Sequence, residues 1–228
     1  MLNIVLLSDQ SSAQGGGVDQ NQWPFSAIGK LNVVTGPGSR GHCTATLVGR
    51  KYVLTAAHCL YDPRRKTWVA PASVHFLPGY REGDYKDHST AKSYHKPDEY
   101  EVDGSNLHHD WALIELENEV SIKPLKIAAS LDVPDDKIFQ SQIIRAGYRQ
   151  SANQLLTMQD KCATAAHATL PLILQDCQTE PGELGTALLD VSGSEPQIIG
   201  ILAAQSASGA MAVSVNSFGP SAAKILGQ

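Results

Sequence analysis

Three sets of residues carry side chains that could do chemistry. His58 stands in Thr55-Ala56-Ala57-His58-Cys59, at the end of the run Thr46–Cys59, TLVGRKYVLTAAHC. Asp110 follows His108 and His109 and precedes Trp111-Ala112-Leu113. The third set is Cys43, Cys59, Cys162 and Cys177. An imidazole takes up or releases a proton near neutral pH, and a carboxylate beside it decides which ring nitrogen holds that proton. Ahead of His58, the strand-like run YVLT leads into two alanines, small enough for a tight backbone turn that leaves the imidazole facing a cleft. Taken singly, each of these residues has a plainer reading. A histidine beside a cysteine is more often structural, and Asp-Trp at a strand start is more often a cap or a turn. A metal site from His108, His109 and Asp110 is disfavoured, because adjacent side chains on a strand point to opposite faces.

Four cysteines allow three pairings. Their spacing favours two local pairs, Cys43–Cys59 and Cys162–Cys177. Each would close a loop of about 15 residues, worth roughly 3 kcal/mol in the chain-entropy model. Reduced buried thiols remain the alternative. A zinc site is less favoured, since neither C-x-x-C nor H-x-x-x-H occurs. Disulfides imply an oxidising compartment.

The elements that must position these groups are short strands. Leu31–Val34, Tyr52–Thr55, Ser73–Leu77, Trp111–Glu117, Ile143–Ala146, Gln197–Ala203 and Ala210–Val215 are strand-like runs separated by Gly-, Pro- and Ser-rich turns. That pattern predicts an all-β sandwich or barrel, with one short helix at Ser221–Leu226. Residues 1–22 read as a flexible lead-in, Ser/Gln/Gly-rich from residue 8. The apolar run Leu2–Leu7 has no basic residue before it and makes a poor signal peptide, so the expectation is that the true leader is absent. Ser121–Val133 could join two halves, with Pro134 ending it, which places the first half at 23–125 and the second at 126–228. The 228 residues are 42% hydrophobic and 18% charged, with a formal net charge of −5. The hydrophobic share excludes wholesale disorder. The acidic balance, without a Lys/Arg-rich run, argues against a nucleic-acid partner. No apolar run reaches the ~18 residues of a membrane span.

The TAAHC segment resembles the histidine motif of the trypsin-like, chymotrypsin-fold serine proteases. His109-Asp110-Trp111-Ala112-Leu113 resembles the aspartate motif of the same family, and FLPGY at Phe76–Tyr80 resembles its secreted bacterial members. The order of His, Asp and a C-terminal glycine-rich segment also fits, and the likeness covers about Trp23 to Leu226. It implies two packed antiparallel β-barrels with a short C-terminal helix and no cofactor or metal. It also implies a secreted or periplasmic protein. His58 takes the position of the general base and Asp110 that of the group that orients it.

The third motif departs from the family. Where the family reads like GDSGGP or GNSGSP, this chain reads Gly182-Glu183-Leu184-Gly185-Thr186-Ala187. Leu184 occupies the nucleophile's place, and its side chain has no labile proton and forms no acyl-enzyme. By analogy the oxyanion-hole amides are those of Gly182 and Leu184, and a leucine side chain does not delete an N–H. Loss of the nucleophile costs about 10⁶ in turnover, and about 10³–10⁴ over water can survive through the remaining site. Glu183 replaces the family's Asp or Asn. No Lys or Arg precedes Lys30, so no tryptic activation site is expected ahead of the first barrel. The pocket strand, often Ser-Trp-Gly, is Ala203-Ala204-Gln205, and Gln205 is expected to narrow or plug the primary pocket, with Gln178 and Thr179 near its base.

These residues point first to a non-catalytic protease homologue that binds a peptide or protein through the cleft or its loops. The alternative is an active endopeptidase, with Leu184 a non-native substitution or with another nucleophile. Ser192 is one candidate, in a D-x-S-G-x-P echo at Asp190–Pro196. It lies only eight residues before Gly200, whereas Leu184 leaves sixteen, the better fit to a loop and returning hairpin. Thr186 and Thr179 offer the other hydroxyls. A third reading is a structural or metal-binding protein built on His75, His88, His95, His108 and His109.

Overall fold

A computed structural model describes residues 16–132, 139, 142–167 and 169–227. The run Leu2–Leu7, the first part of the lead-in and the Val133-Pro134 end of the proposed joint lie outside the described residues.

The first half is a closed six-stranded barrel. Its strands are β1 (Ile28–Gly36), β2 (Ser39–Gly49), β3 (Tyr52–Thr55), β4 (Val74–Pro78), β5 (Ser89–His95) and β6 (Ala112–Leu116). They pair antiparallel in the order β1-β2-β3-β6-β5-β4, and β4 returns to β1. The β1–β2 turn is Pro37-Gly38, with Gly38 at φ +72°. Leu31, Val33, Leu47, Val53, Phe76 and Ile114 fill the interior, each at most 5% exposed.

The second half is a curled nine-stranded sheet. It contains β7 (Ile143–Gly147), β8 (Thr157–Gln159), β9 (Thr164–Ala166), β10 (Leu172–Gln175), β11 (Ala187–Asp190), β12 (Gln197–Ser206) and β13 (Gly209–Ser214). The order is β8-β7-β11-β12-β13-β10-β9, with Gly16–Gly17 added beside β8 and Lys126–Ile127 parallel to β12. The architecture matches the expected double barrel, although the second half curls without closing among the described residues. The seven strand-like runs read from the sequence all fall on strands. β5 (STAKSYH) and β9 (TAA) carry too little apolar alternation to be read that way.

Side-chain hydrogen bonds tie the halves together. Thr44 Oγ1 on β2 donates to Gly182 O at 2.9 Å and accepts from Tyr148 N at 2.9 Å. Tyr148, fully buried, donates its hydroxyl proton to Tyr80 O at 2.9 Å. One apolar cluster runs through both halves and takes in Trp111 and Phe218.

The C-terminal helix, α1 (Val215–Leu226), begins six residues before the expected start at Ser221. Ser214 caps it, its Oγ accepting from Asn216 N, and Gly227 ends it at φ +71°. Pro220 lies inside, at a cost of about 3 kcal/mol from a missing hydrogen bond and a ring clash. Val215, Phe218 and Ala222 are completely buried on one face. Full burial of a Val or Phe stabilises by about 1.5–3 kcal/mol each, so packing outweighs the proline.

Candidate active-site cleft

His58 lies in a 3₁₀ turn, Ala57–Leu60, directly after β3. Ala56 and Ala57 are fully buried, so the tight turn that the alanines predicted is formed. The Cys43–Cys59 disulfide, with Cα atoms 6.1 Å apart, ties this turn to β2. Asp110 follows a second 3₁₀ turn, Leu107–His109, at the entry to β6. Its carboxylate is 2% exposed and grips His58 twice. Oδ2 lies 2.6 Å from the ring Nδ1, and Oδ1 accepts from the His58 main-chain N–H at 2.9 Å. An ionised carboxylate accepts and does not donate, so Nδ1 carries the proton and Nε2 is left with a free lone pair. Tyr100 packs nearby. Burial first, and then the charge of Asp110, hold its phenol protonated beyond the ordinary range.

Facing His58 is the loop Pro181–Thr186. His58, Cys59, His42, Pro181, Gly182 and Leu184 line one cleft of about 320 Å³. The half-buried Leu184 therefore shares the cleft with the imidazole. The loop's shape depends on two glycines. Gly182 has φ +93°, and a Cβ there would collide with the His42 ring and Tyr148 O. Gly185 has φ +85°, and a Cβ there would collide with Thr55 Oγ1 and Thr44 O. Leu184 O accepts from Thr44 N at 3.0 Å, and Gly185 N donates to Leu202 O at 2.8 Å. The Gly182 and Leu184 N–H groups have no acceptor among the described residues. Two such amides at one turn can stabilise a carbonyl oxygen or an oxyanion.

Sequence reasoning missed what holds the loop from behind. Glu183 is 3% exposed. Its carboxylate accepts from Glu180 N at 2.8 Å, from Thr179 Oγ1 at 3.1 Å and from the Arg149 guanidinium at 3.3 Å. Arg149 also donates to Thr157 Oγ1 at 3.0 Å. A second arginine, Arg145, is 2% exposed and among the described residues has only neutral partners: the side chains of Gln159 and Gln175 and the carbonyl of Gln178. Burial pulls its guanidinium down to about 10, while Glu183 works in the opposite direction. The only sequence signal was an arginine inside an apolar strand run, IIRAG.

At the expected primary pocket, Gln205 reaches across to the 178–179 segment. Its Nε2 donates to Gln178 Oε1, and its Oε1 accepts from Thr179 N at 2.7 Å. Ala203, 4% exposed, lies on the same strand. Two of the other hydroxyls are engaged elsewhere: Thr179 donates to Glu183, and Ser192 sits in the β11–β12 turn with its Oγ donating to Asp190 Oδ1. The Thr186 hydroxyl is buried and has no hydrogen-bond partner among the described residues.

The cysteines pair as Cys43–Cys59 and Cys162–Cys177. Cys43, Cys59 and His58 offer atoms within 4.8 Å of one another, but disulfide sulfurs are not thiolate ligands. The five candidate metal histidines do not converge. His75 meets His88, His108 packs on His109, and His95 lies beside Tyr52. No helix among the described residues is long and apolar enough to cross a membrane.

The family model described as trypsin matches residues 14–211. The chain belongs to the trypsin family. Among curated trypsin-family proteins, serine protease 23 of Rattus norvegicus is 30% identical over 196 residues, covering 77% of this chain and 48% of its own length. The chain thus spans about half the length of that relative. Among solved structures, a Glu endopeptidase in complex with MPD superposes with TM-score 0.75 at 18% identity, covering 94% of this chain and 97% of the other. The scabies mite inactivated protease paralogue S-I1 gives TM-score 0.72 at 15% identity, covering 93% and 98%. At such identities the two structures speak for the trypsin-family fold alone.

Proposed function

We propose that this trypsin-family chain is non-catalytic and uses the cleft to bind an extended peptide or a protein segment in a secreted or periplasmic setting. The observation that carries the reading is Leu184, which faces His58 where a nucleophile would have to stand. A base has no proton to take from a leucine. The His58–Asp110 pair, the two free amides and the glycine turns support binding of a main chain, since each is complementary to peptide groups and none needs a hydroxyl. The Gln205–Gln178 contact supports a ligand held by its backbone more than by a deeply seated side chain. A structural neighbour described as an inactivated protease paralogue is consistent with a scaffold of this kind outliving catalysis.

Labelling with a fluorophosphonate tests this reading, with wild type and Leu184→Ser run side by side. Wild type is expected to stay unlabelled and Leu184→Ser to label. Labelling of wild type overturns the proposal, and mapping the modified residue would then identify the nucleophile.

A further inference from the structure

Outside the cleft, the outer face of the first barrel collects cations without acids. Strand alternation explains which side chains meet there. Asn32 on β1 pairs in register with His42 on β2 and with His75 on β4. Two residues away in one direction, Lys30 pairs with Leu77, and two residues away in the other, Val34 pairs with Arg40. His88, on the chain leading into β5, stacks on His75 with Nε2 3.0 Å from its partner's Nδ1. These residues and Tyr85 line a recess of about 500 Å³, within the ~300–1,000 Å³ of ordinary ligand pockets.

Among the described residues no carboxylate lines this recess. Lys30 is 7% exposed and donates to Asn153 O at 2.7 Å, with its ammonium over the Tyr80 ring. Among the described residues neither Lys30 nor Arg40 makes an ion pair. Asp87, next to His88, accepts from the His88 main-chain N–H through Oδ1 at 2.8 Å and from Ser121 N through Oδ2 at 3.3 Å, and does not line the recess. The histidines feel this excess of positive charge. Burial, then His88 and Arg40, push His75 below its ordinary range, and burial, then Lys30, do the same to His42. Charge of one sign in a concave site attracts its opposite.

We propose that this recess binds the carboxylate side chains of an acidic peptide segment. The geometry favours a peptide over a single small anion. Lys30 and Val34 stand four residues apart on β1, roughly 13 Å by strand rise, and Arg40 lies opposite Val34. The two cationic residues are thus rooted at opposite ends of the recess, a spacing that an extended chain with carboxylates on alternate residues matches. The recess also shares Arg40, Gly41 and His42 with the His58 cleft, so a chain lying in the cleft continues into it. The choice of ligand class rests on the peptide-binding reading of the cleft.

The test is fluorescence anisotropy with fluorescein-labelled octaglutamate and octaglutamine at low salt. Octaglutamate is expected to bind at least about tenfold more tightly, and Arg40→Glu to remove that preference. Arg50→Glu, an equal charge change at an exposed site paired with Glu119, is expected to leave it intact. Affinity for octaglutamate should rise as pH falls below about 6.5, as His42 and His75, both held below that ordinary value, take up protons beside Lys30 and Arg40. Equal binding of both peptides, or equal losses in the two variants, overturns the proposal. So does inorganic phosphate displacing octaglutamate completely at matched ionic strength. An Arg40-dependent signal together with phosphonate labelling of wild type keeps the recess and overturns the non-catalytic cleft. Silent labelling with no Arg40 dependence does the reverse.

Discussion

On the first-barrel side of the cleft, Asp110 holds His58 through both its ring and its main chain. On the second-barrel side, the Pro181–Thr186 loop keeps its glycine turns and its free amides but presents a leucine. The first side is a side-chain device whose polar atoms are all in place. The second is a backbone device, and its shape is maintained by groups that never face the cleft: Arg149 and Glu183 behind it, Thr44 beneath it. Side-chain chemistry and backbone chemistry at one site are thus separable, because different residues support them. A cleft can lose the reacting atom and still present an ordered surface to a peptide.

The largest expected effect separates the two sides directly. In Leu184→Ser, adding His58→Ala should lower the phosphonate labelling rate by about 10⁶, since nucleophile and base act as a unit. An unchanged rate would mean that the histidine side is not competent. Next comes the support of the backbone side. Arg149→Met leaves the Glu183 carboxylate buried without its cation, at an expected cost of about 3–5 kcal/mol, read as a shift in the denaturant midpoint. The same change should slow labelling of Leu184→Ser while leaving the His58 Nδ1 proton signal in NMR spectra unaltered. Loss of that signal would show that the two sides are coupled. Cys43→Ser with Cys59→Ser is expected to cost roughly 3 kcal/mol and to disturb the His58 signal first, because this bond pins the histidine turn.

The smallest effect falls at the β11–β12 turn, far from either device. Glu195 accepts from Lys123 and Lys126 at 2.7 and 2.9 Å, and these contacts hold its carboxyl down at about 2. Its folded value lies below its ordinary 4.5. Its contribution is therefore present above about pH 4.5 and fades as pH falls toward 2. Carboxyl-detected titration checks the midpoint, and Glu195→Gln should leave phosphonate labelling of Leu184→Ser untouched. Being exposed, this pair is also weakened by salt.

The first-barrel side of the site was legible in the sequence because its signals are local. YVLT, two alanines, His58 and Cys59 are contiguous, and Asp110 sits in its own short motif. Leu184 was legible for the same reason, from the glycines around it. The supports of the loop were not, because Arg149 meets Glu183 across 34 residues and Arg145 meets Gln175 across 30. Arg149 and Glu183 lie on no strand, and β7 and β10 are not neighbours in the sheet, so neither spacing nor strand pairing anticipates those contacts. The helix start at Val215 was hidden by Gly219-Pro220, whose breaking tendency is outweighed by the buried Phe218 face. The basic recess came from alternation on three paired strands, which can be computed once the register is known but not before.

The closed ring of β1 to β6 bears on how the molecule opens. A ring has no terminal strand, so each of its strands is hydrogen-bonded on both sides, and none can peel away without breaking two ladders. β9, by contrast, pairs only with β10 among the described residues. Amide protons in the ring should then exchange with solvent only through cooperative opening of the whole barrel, and those of β9 through local fraying. Asp110 enters the ring at β6, and His58 leaves it at β3. Their contact is therefore anchored at both ends, within three residues, to strands that open only together.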